Sequence, residues 1–247
     1  MDSNNDYFLT IDVDWAADWM IEYVADRLIE KQVKATWFIT HRSPILNKLQ
    51  VHRELFEIGI HPNCLPGSSQ GSTEDEVLQF IKDLAPEATS MRTHALYQHT
   101  RFLRKAALEY GISIDTSLLL PRMPNLAPFC LKWKGANLWR VPYFLEDDME
   151  MFEEEPIWSW TDPRLHVPGL KILDFHPAYI TLNNVTFDVY ENLKPLKPLP
   201  EWTFDFVSPY IREGKGPKSL FLEMVDYLST HGGGKWIKEI LQFIKAK

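Results

Sequence analysis

The sequence predicts an α/β fold in which a parallel sheet carries its helices on the outside, either open or rolled into a barrel. Two observations predict it. Strand-like apolar runs alternate with amphipathic helical stretches, with no internal repeat. The 247 residues are 45% hydrophobic and 13% aromatic, enough for a sizeable core. The length fits one large domain or two small ones and does not choose between them; a single domain over residues 1–247 is expected.

The run YFLTIDV (7–13) reads as the first strand. AADWMIEYVADRLIEKQ (16–32) follows with Met20, Ile21, Val24, Leu28 and Ile29 on one helical stripe, and ATWFIT (35–40) is the second strand. HRELFEI (52–58) reads as helical and runs into a third strand, GIH, at 59–61. TEDEVLQFIKDL (73–84) opens with Thr73 and Glu76 at capping-box spacing, ahead of the extended ATSMRTH (88–94). The helix HTRFLRKAALEYG (99–111) stops at Gly111, a residue free to take a left-handed cap, and ISIDTS (112–117) is another strand.

The second half is less regular. NLWRVPYF (137–144) and LKILDFH (170–176) read as strands, separated by EDDMEMFEEE (146–155). Seven acids in those ten residues suggest a solvated loop or helix face, cation binding being the weaker alternative. The proline-dense NLKPLKPLPEW (192–202) leads to a helix around KSLFLEMVDYLSTH (218–231), a glycine break at 232–234 and an amphipathic closing helix, KWIKEILQFIK (235–245).

Composition narrows the function classes. A formal charge of -8 with no basic face argues against a nucleic-acid partner. The opening MDSNNDYF lacks the basic start and apolar core of a signal peptide, and no segment reaches the ~18 apolar residues of a membrane span, so a cytoplasmic location is expected. Two cysteines, Cys64 and Cys130, are far apart and outside any CxxC spacing, which gives neither a disulfide framework nor a thiolate metal site.

Several polar residues stand where strands should end. Asp12 and Asp14, in TIDVDW, close the first strand; i and i+2 share a face there, and two like charges repel unless a cation lies between them. His61 ends the third strand, Arg92 and His94 the fourth, and His176 the late strand. In a parallel barrel all carboxyl ends open on one mouth, so these groups would converge into a metal site with acid and base groups beside it. Each has a plainer explanation: Asp-x-Asp can cap the next helix, the histidines can be packed in turns or core, and Arg92 can simply pair with Asp12. Delivery of compatible groups by four strands to one rim is more specific than any one of them.

The series TIDVDW, ATWFIT, EIGIHPN, MRTH, YGISIDTSL, LWRVPYF and LDFHP resembles the polysaccharide deacetylase family, also called NodB-homology or carbohydrate esterase family 4, and most closely its WbmS-like branch associated with O-antigen gene clusters. The resemblance implies a distorted (β/α)7-type barrel, one divalent metal ion with zinc expected, and hydrolysis of an N-acetyl group on a sugar. It makes Asp12 the general base, Asp14 a metal ligand, Arg92 the residue that orients the base, and His176 the general acid. A backbone N–H near Ala95 matches the oxyanion donor.

One feature departs from the family pattern. The histidine motif usually has a second histidine four residues after the first, and position 65 is Leu. The third ligand is then His94, with Asn63, Cys64 or water as alternatives; an amide oxygen suits a harder ion, and a free cysteine is usually a small buried hydrophobe. His94 is preferred because it lies two residues beyond Arg92 on an extended segment. The expected substrate is an N-acetylated sugar or a lipid- or nucleotide-linked glycan in surface polysaccharide synthesis. Alternatives are a deformylase or other C–N hydrolase of the same fold, or a metal-free sugar-binding or assembly protein, which Leu65 motivates. Trp15 and Tyr179 flank the expected site in sequence and are candidate sugar-stacking residues.

Overall fold

The computed structural model describes residues 7–245. Residues 1–6, which hold most of the opening segment read for a leader, lie outside the described residues. The strands are β1 (Tyr7–Asp12), β2 (Ala35–Ile39), β3 (Phe56–Ile60), β4 (Ser90–Met91), β5 (Ile114–Asp115), β6 (Phe129–Trp133), β7 (Ala136–Arg140), β8 (Leu145–Glu146) and β9 (Lys171–Phe175). They form one sheet in the order β6-β7-β5-β4-β3-β2-β1-β9-β8. Every pairing is parallel except the β6–β7 hairpin. β1 is buried along its whole length, as a strand covered on both faces must be.

The sheet curls because one stretch of chain serves both of its ends. β7 pairs with β5 and β8 pairs with β9. Between them the Tyr143 N–H donates to the Leu118 carbonyl at 3.0 Å, and the next N–H, that of Phe144, donates to the Ile172 carbonyl at 2.8 Å. Neighbouring residues thus bond opposite ends of the sheet. β1 to β5, the β7–β8 stretch and β9 surround one axis as a distorted (β/α)7-type barrel, with the β6–β7 hairpin added at the side.

The helices are α1 (Asp18–Glu30), α2 (Ile45–Val51), α3 (Glu74–Leu84), α4 (Thr100–Glu109), α5 (Pro177–Leu182), α6 (Asp188–Leu193), α7 (Phe204–Val207), α8 (Pro217–Thr230) and α9 (Ile240–Lys245). α1 buries Met20, Ile21, Val24 and Leu28 as its stripe predicts. The Thr73–Glu76 capping box forms at the start of α3, and Gly111 takes φ 70° after α4. HRELFEI is a correction: the helix is α2, seven residues upstream, and Phe56–Ile60 is already β3. Pairing with β2 decides this, since Phe56 lies opposite Ala35 and Ile60 opposite Ile39. No described helix is long and apolar enough to cross a membrane.

The barrel interior is layered. Phe8, Phe38, Ile114, Tyr143 and Ile172 fill its middle, joined by Ile237 and Ile240 from the closing segment. That segment plugs the amino-terminal end: the Ile237 N–H donates to Thr36 Oγ1 at 3.0 Å and the Lys238 N–H to Glu57 Oε2 at 3.0 Å. Gly59 is required in β3, because a Cβ there would lie 2.6 Å from the Phe38 ring. With one end closed, the polar groups gather at the carboxyl end.

Candidate metal centre and active site

β1 ends at Asp12, and the chain then turns sharply. Val13 still pairs with β2, its N–H donating to the Phe38 carbonyl at 3.1 Å. Asp14 and Trp15 both adopt left-handed conformations, φ 43° and 56°. Two successive non-glycine residues in that region cost roughly 1–2 kcal/mol each, strain of the kind that gathers at functional sites. Asp14 therefore reaches the rim through a turn, and the i, i+2 alternation of a continuing strand is not what places it.

Asp14, His61 and His94 meet there. Asp14 Oδ1 lies 3.0 Å from His61 Nε2 and 3.1 Å from His94 Nδ1, and the two ring nitrogens are 3.3 Å apart. Three donors at about 2.0–2.2 Å from one zinc-type ion would be spaced in this way, so the residues fit a divalent cation. Burial alone would raise the Asp14 carboxyl, but hydrogen bonds and positive charge from His61 and His94 hold it well below the usual range. His61 is itself raised: burial opposes this, and Asp12 and Asp14 outweigh burial.

Behind this triad lies a charged network. Asp12 Oδ1 is 3.0 Å from Arg92 Nη1, and Asp12 Oδ2 is 3.4 Å from His61 Nδ1. Asp12 thus bridges the arginine and a histidine of the triad. Arg92 is fully buried, its guanidinium between the Tyr143 ring at 4.3 Å and the Phe38 ring at 4.9 Å. The same Nη1 donates to Thr10 Oγ1 at 3.0 Å and to Asp174 Oδ1. Burial pushes the Asp174 carboxyl up against the pull of Arg92. Asp174 was not anticipated from sequence; its signal was its place two residues before His176, on the same face of a strand.

His176 N-caps α5 and turns its Nε2 towards Asp14 Oδ2 at 3.6 Å. Its Nδ1 lies 2.7 Å from Asp147 Oδ1, and its backbone N–H donates to Asp147 Oδ2 at 2.9 Å. Burial would lower this histidine, but Asp147, Asp148 and Asp14 hold it well above the usual range. The acidic stretch 146–155 is therefore a correction. Its first part is not solvated: Asp147 is fully buried and Glu150 nearly so. β8 carries these acids onto the rim by pairing with β9, and Glu150 is held by Arg122 Nη2 at 2.5 Å.

The alternative third ligands are engaged elsewhere. Asn63 Oδ1 accepts the Leu65 N–H at 2.9 Å, and the Asn63 N–H donates to Gln70 Oε1 at 2.7 Å. Gln70 is buried and binds the Thr40 and His61 carbonyls, which fixes the loop after His61. Leu65 is left exposed. Burial, assisted by the charge of Glu74, pushes the Cys64 thiol up to about 12, so it is neutral near pH 7.

A cavity of about 280 Å³ opens over the triad, lined by Asp12, Ala95, Leu96, Glu146, Asp148 and Met149 besides the histidines. Ala95 and Leu96 are a second pair of left-handed residues, φ 50° and 52°, in the turn that presents His94. Trp15 packs edge-on against His94 at 5.3 Å and Tyr179 edge-on against His176 at 5.3 Å.

Comparisons with known proteins show the family and the fold. The crystal structure of a candidate polysaccharide deacetylase involved in O-antigen biosynthesis, from Bordetella bronchiseptica, superposes with a TM-score of 0.78 and 29% identity over 90% of each chain. The peptidoglycan deacetylase PdaC of Bacillus subtilis shares the fold at TM-score 0.53 and 12% identity, over 100% of this chain and 95% of that one. No curated protein matches the sequence. The model of the family described as WbmS-like polysaccharide deacetylase matches residues 9–194, most of the barrel and all the rim residues above, and the chain belongs to that family.

Proposed function

We propose that the protein is a metal-dependent N-deacetylase that removes an acetyl group from an amino sugar during surface polysaccharide synthesis. The observation that carries this is the convergence of Asp14, His61 and His94 on one point, with Asp12 on Arg92 to one side and His176 on Asp147 to the other. Asp14, His61 and His94 would hold the ion. A bound divalent ion supplies Lewis acidity, polarising a carbonyl and lowering the pKa of water from about 15.7 to about 7.

The side chains account for the proton movements. Asp12, kept in place by Arg92, accepts the proton of the attacking water. The backbone N–H at Ala95 stabilises the oxygen of the tetrahedral intermediate. An amine leaves only when protonated, and His176, held at Nδ1 by Asp147 with Nε2 turned towards Asp14, donates that proton. The cavity admits a small acyl group and the near face of a sugar ring. Both cysteines are free, which suits a cytoplasmic enzyme acting on a lipid- or nucleotide-linked sugar.

The test is acetate release from N-acetylated sugars by protein stripped with chelator and reloaded with zinc. Release restored by the ion supports the proposal; equal release by the stripped protein overturns the metal dependence, and no release from any sugar overturns the activity.

A further inference from the structure

Most of the carboxylates on the cavity wall are accounted for. Asp12 is paired with Arg92 and Asp14 with His61 and His94. Glu146 Oε2 accepts the Tyr143 hydroxyl at 2.7 Å. Asp148 differs: it lines the same cavity, and its Oδ1 is buried with no hydrogen-bond partner among the described residues. A buried carboxylate oxygen without a donor is costly, so a group that arrives with a donor gains by filling it.

Its position says which donor. Asp148 offers a carboxylate oxygen within 4.8 Å of a His176 ring nitrogen and of Asp147. His176 is the proposed donor to the leaving nitrogen, so Asp148 stands beside the ring atoms that carry that nitrogen. We infer that Asp148 is a specificity residue that accepts a hydrogen bond from the sugar hydroxyl on the ring carbon adjacent to the one that bears the acylated nitrogen. This rests on the deacetylase function proposed above. An acidic substituent at that carbon meets Asp148 and Glu146 and is rejected, and a hydroxyl blocked by an acyl or alkyl group cannot donate.

The test pairs a substrate change with a residue change. Nitrophenyl glycosides of N-acetylglucosamine and N-acetylgalactosamine are compared with their 3-deoxy analogues, reading acetate release by zinc-loaded wild type, Asp148→Asn and Asp148→Ala. A site built to bind a hydroxyl rejects the analogue lacking it, and wild type is expected to prefer the hydroxylated sugar by about 10–100-fold in kcat/KM. With zinc content equal to wild type, that ratio should fall below about 3-fold in Asp148→Ala, and to a smaller extent in Asp148→Asn, which keeps a neutral acceptor oxygen. An undiminished ratio in the variants, or no preference in wild type, overturns the role of Asp148 and leaves deacetylation standing. No acetate from any parent glycoside overturns the deacetylase proposal and this assignment with it.

Discussion

His94 Nδ1 lies 3.1 Å from Asp14 Oδ1, although the two residues come from the ends of different strands, Asp14 by way of a left-handed turn and His94 at the end of an extended stretch through Thr93. Asp14 is itself left-handed, beside Trp15, whereas the left-handed pair Ala95 and Leu96 follows His94. His94→Ala should therefore weaken zinc binding by more than about 100-fold, as should Asp14→Ala and His61→Ala. Competition with a chromophoric chelator reads this; unchanged affinity in His94→Ala would move the third position to solvent.

Restoring the histidine usual in the family should fail. Leu65 is exposed on a loop tied down by Gln70 through the Thr40 and His61 carbonyls. Leu65→His is expected to leave zinc affinity unchanged in the same assay. A gain would mean that the loop swings back over the ion.

Asp12 bridges Arg92 and His61 without belonging to the triad. Asp12→Asn should keep full metal content while kcat falls by about 10²–10⁴-fold, the range for a lost general base. Metal analysis with steady-state kinetics on the same preparation checks both halves, and an active variant would exclude Asp12 as the base.

His176, held by Asp147, makes a different prediction. His176→Ala should slow amide hydrolysis by about 10²–10⁴-fold and affect an activated acetyl ester far less, since a nitrophenolate leaves without a proton. Equal losses on the two substrates would remove the acid role.

Cys64 gives a prediction in pH. Its thiol is raised to about 12 by burial, so its thiolate appears only as pH climbs towards that value. At pH 8 the thiolate fraction is about 10⁻⁴, against about a quarter for a free thiol near 8.5, and alkylation should be about 10³-fold slower than for a free thiol. A Cys130→Ser background isolates the signal; fast reaction at pH 8 would put Cys64 back among the metal ligands.

The rim residues that end strands were legible because parallel strands send their carboxyl ends to one place: Asp12, His61, Arg92 and His176 follow from that rule alone. What composition hid was pairing. EDDMEMFEEE has the charge density of a solvated loop, and only the pairing of β8 with β9 buries Asp147 against His176. Similarly, HRELFEI has apolar residues that suit helix or strand; its first four residues form a turn, and alignment with β2 settles Phe56, Glu57 and Ile58 as strand. NLWRVPYF was legible and contains most of β7, whereas its hairpin partner β6 is partly exposed, with no long apolar run to announce it. Asp174 offered one signal, its place two residues before His176, but nothing in LKILDF says that Arg92 waits for it across the barrel.

The central claim is that Asp14, His61 and His94 hold one divalent ion. The most direct measurement is an anomalous difference map, at the zinc edge, from crystals of the protein grown with zinc. A single strong peak is expected about 2.0–2.2 Å from Asp14 Oδ1, His61 Nε2 and His94 Nδ1. A peak among Asp147, Asp148 and His176, or a zinc-bound structure with His94 turned away, would contradict it.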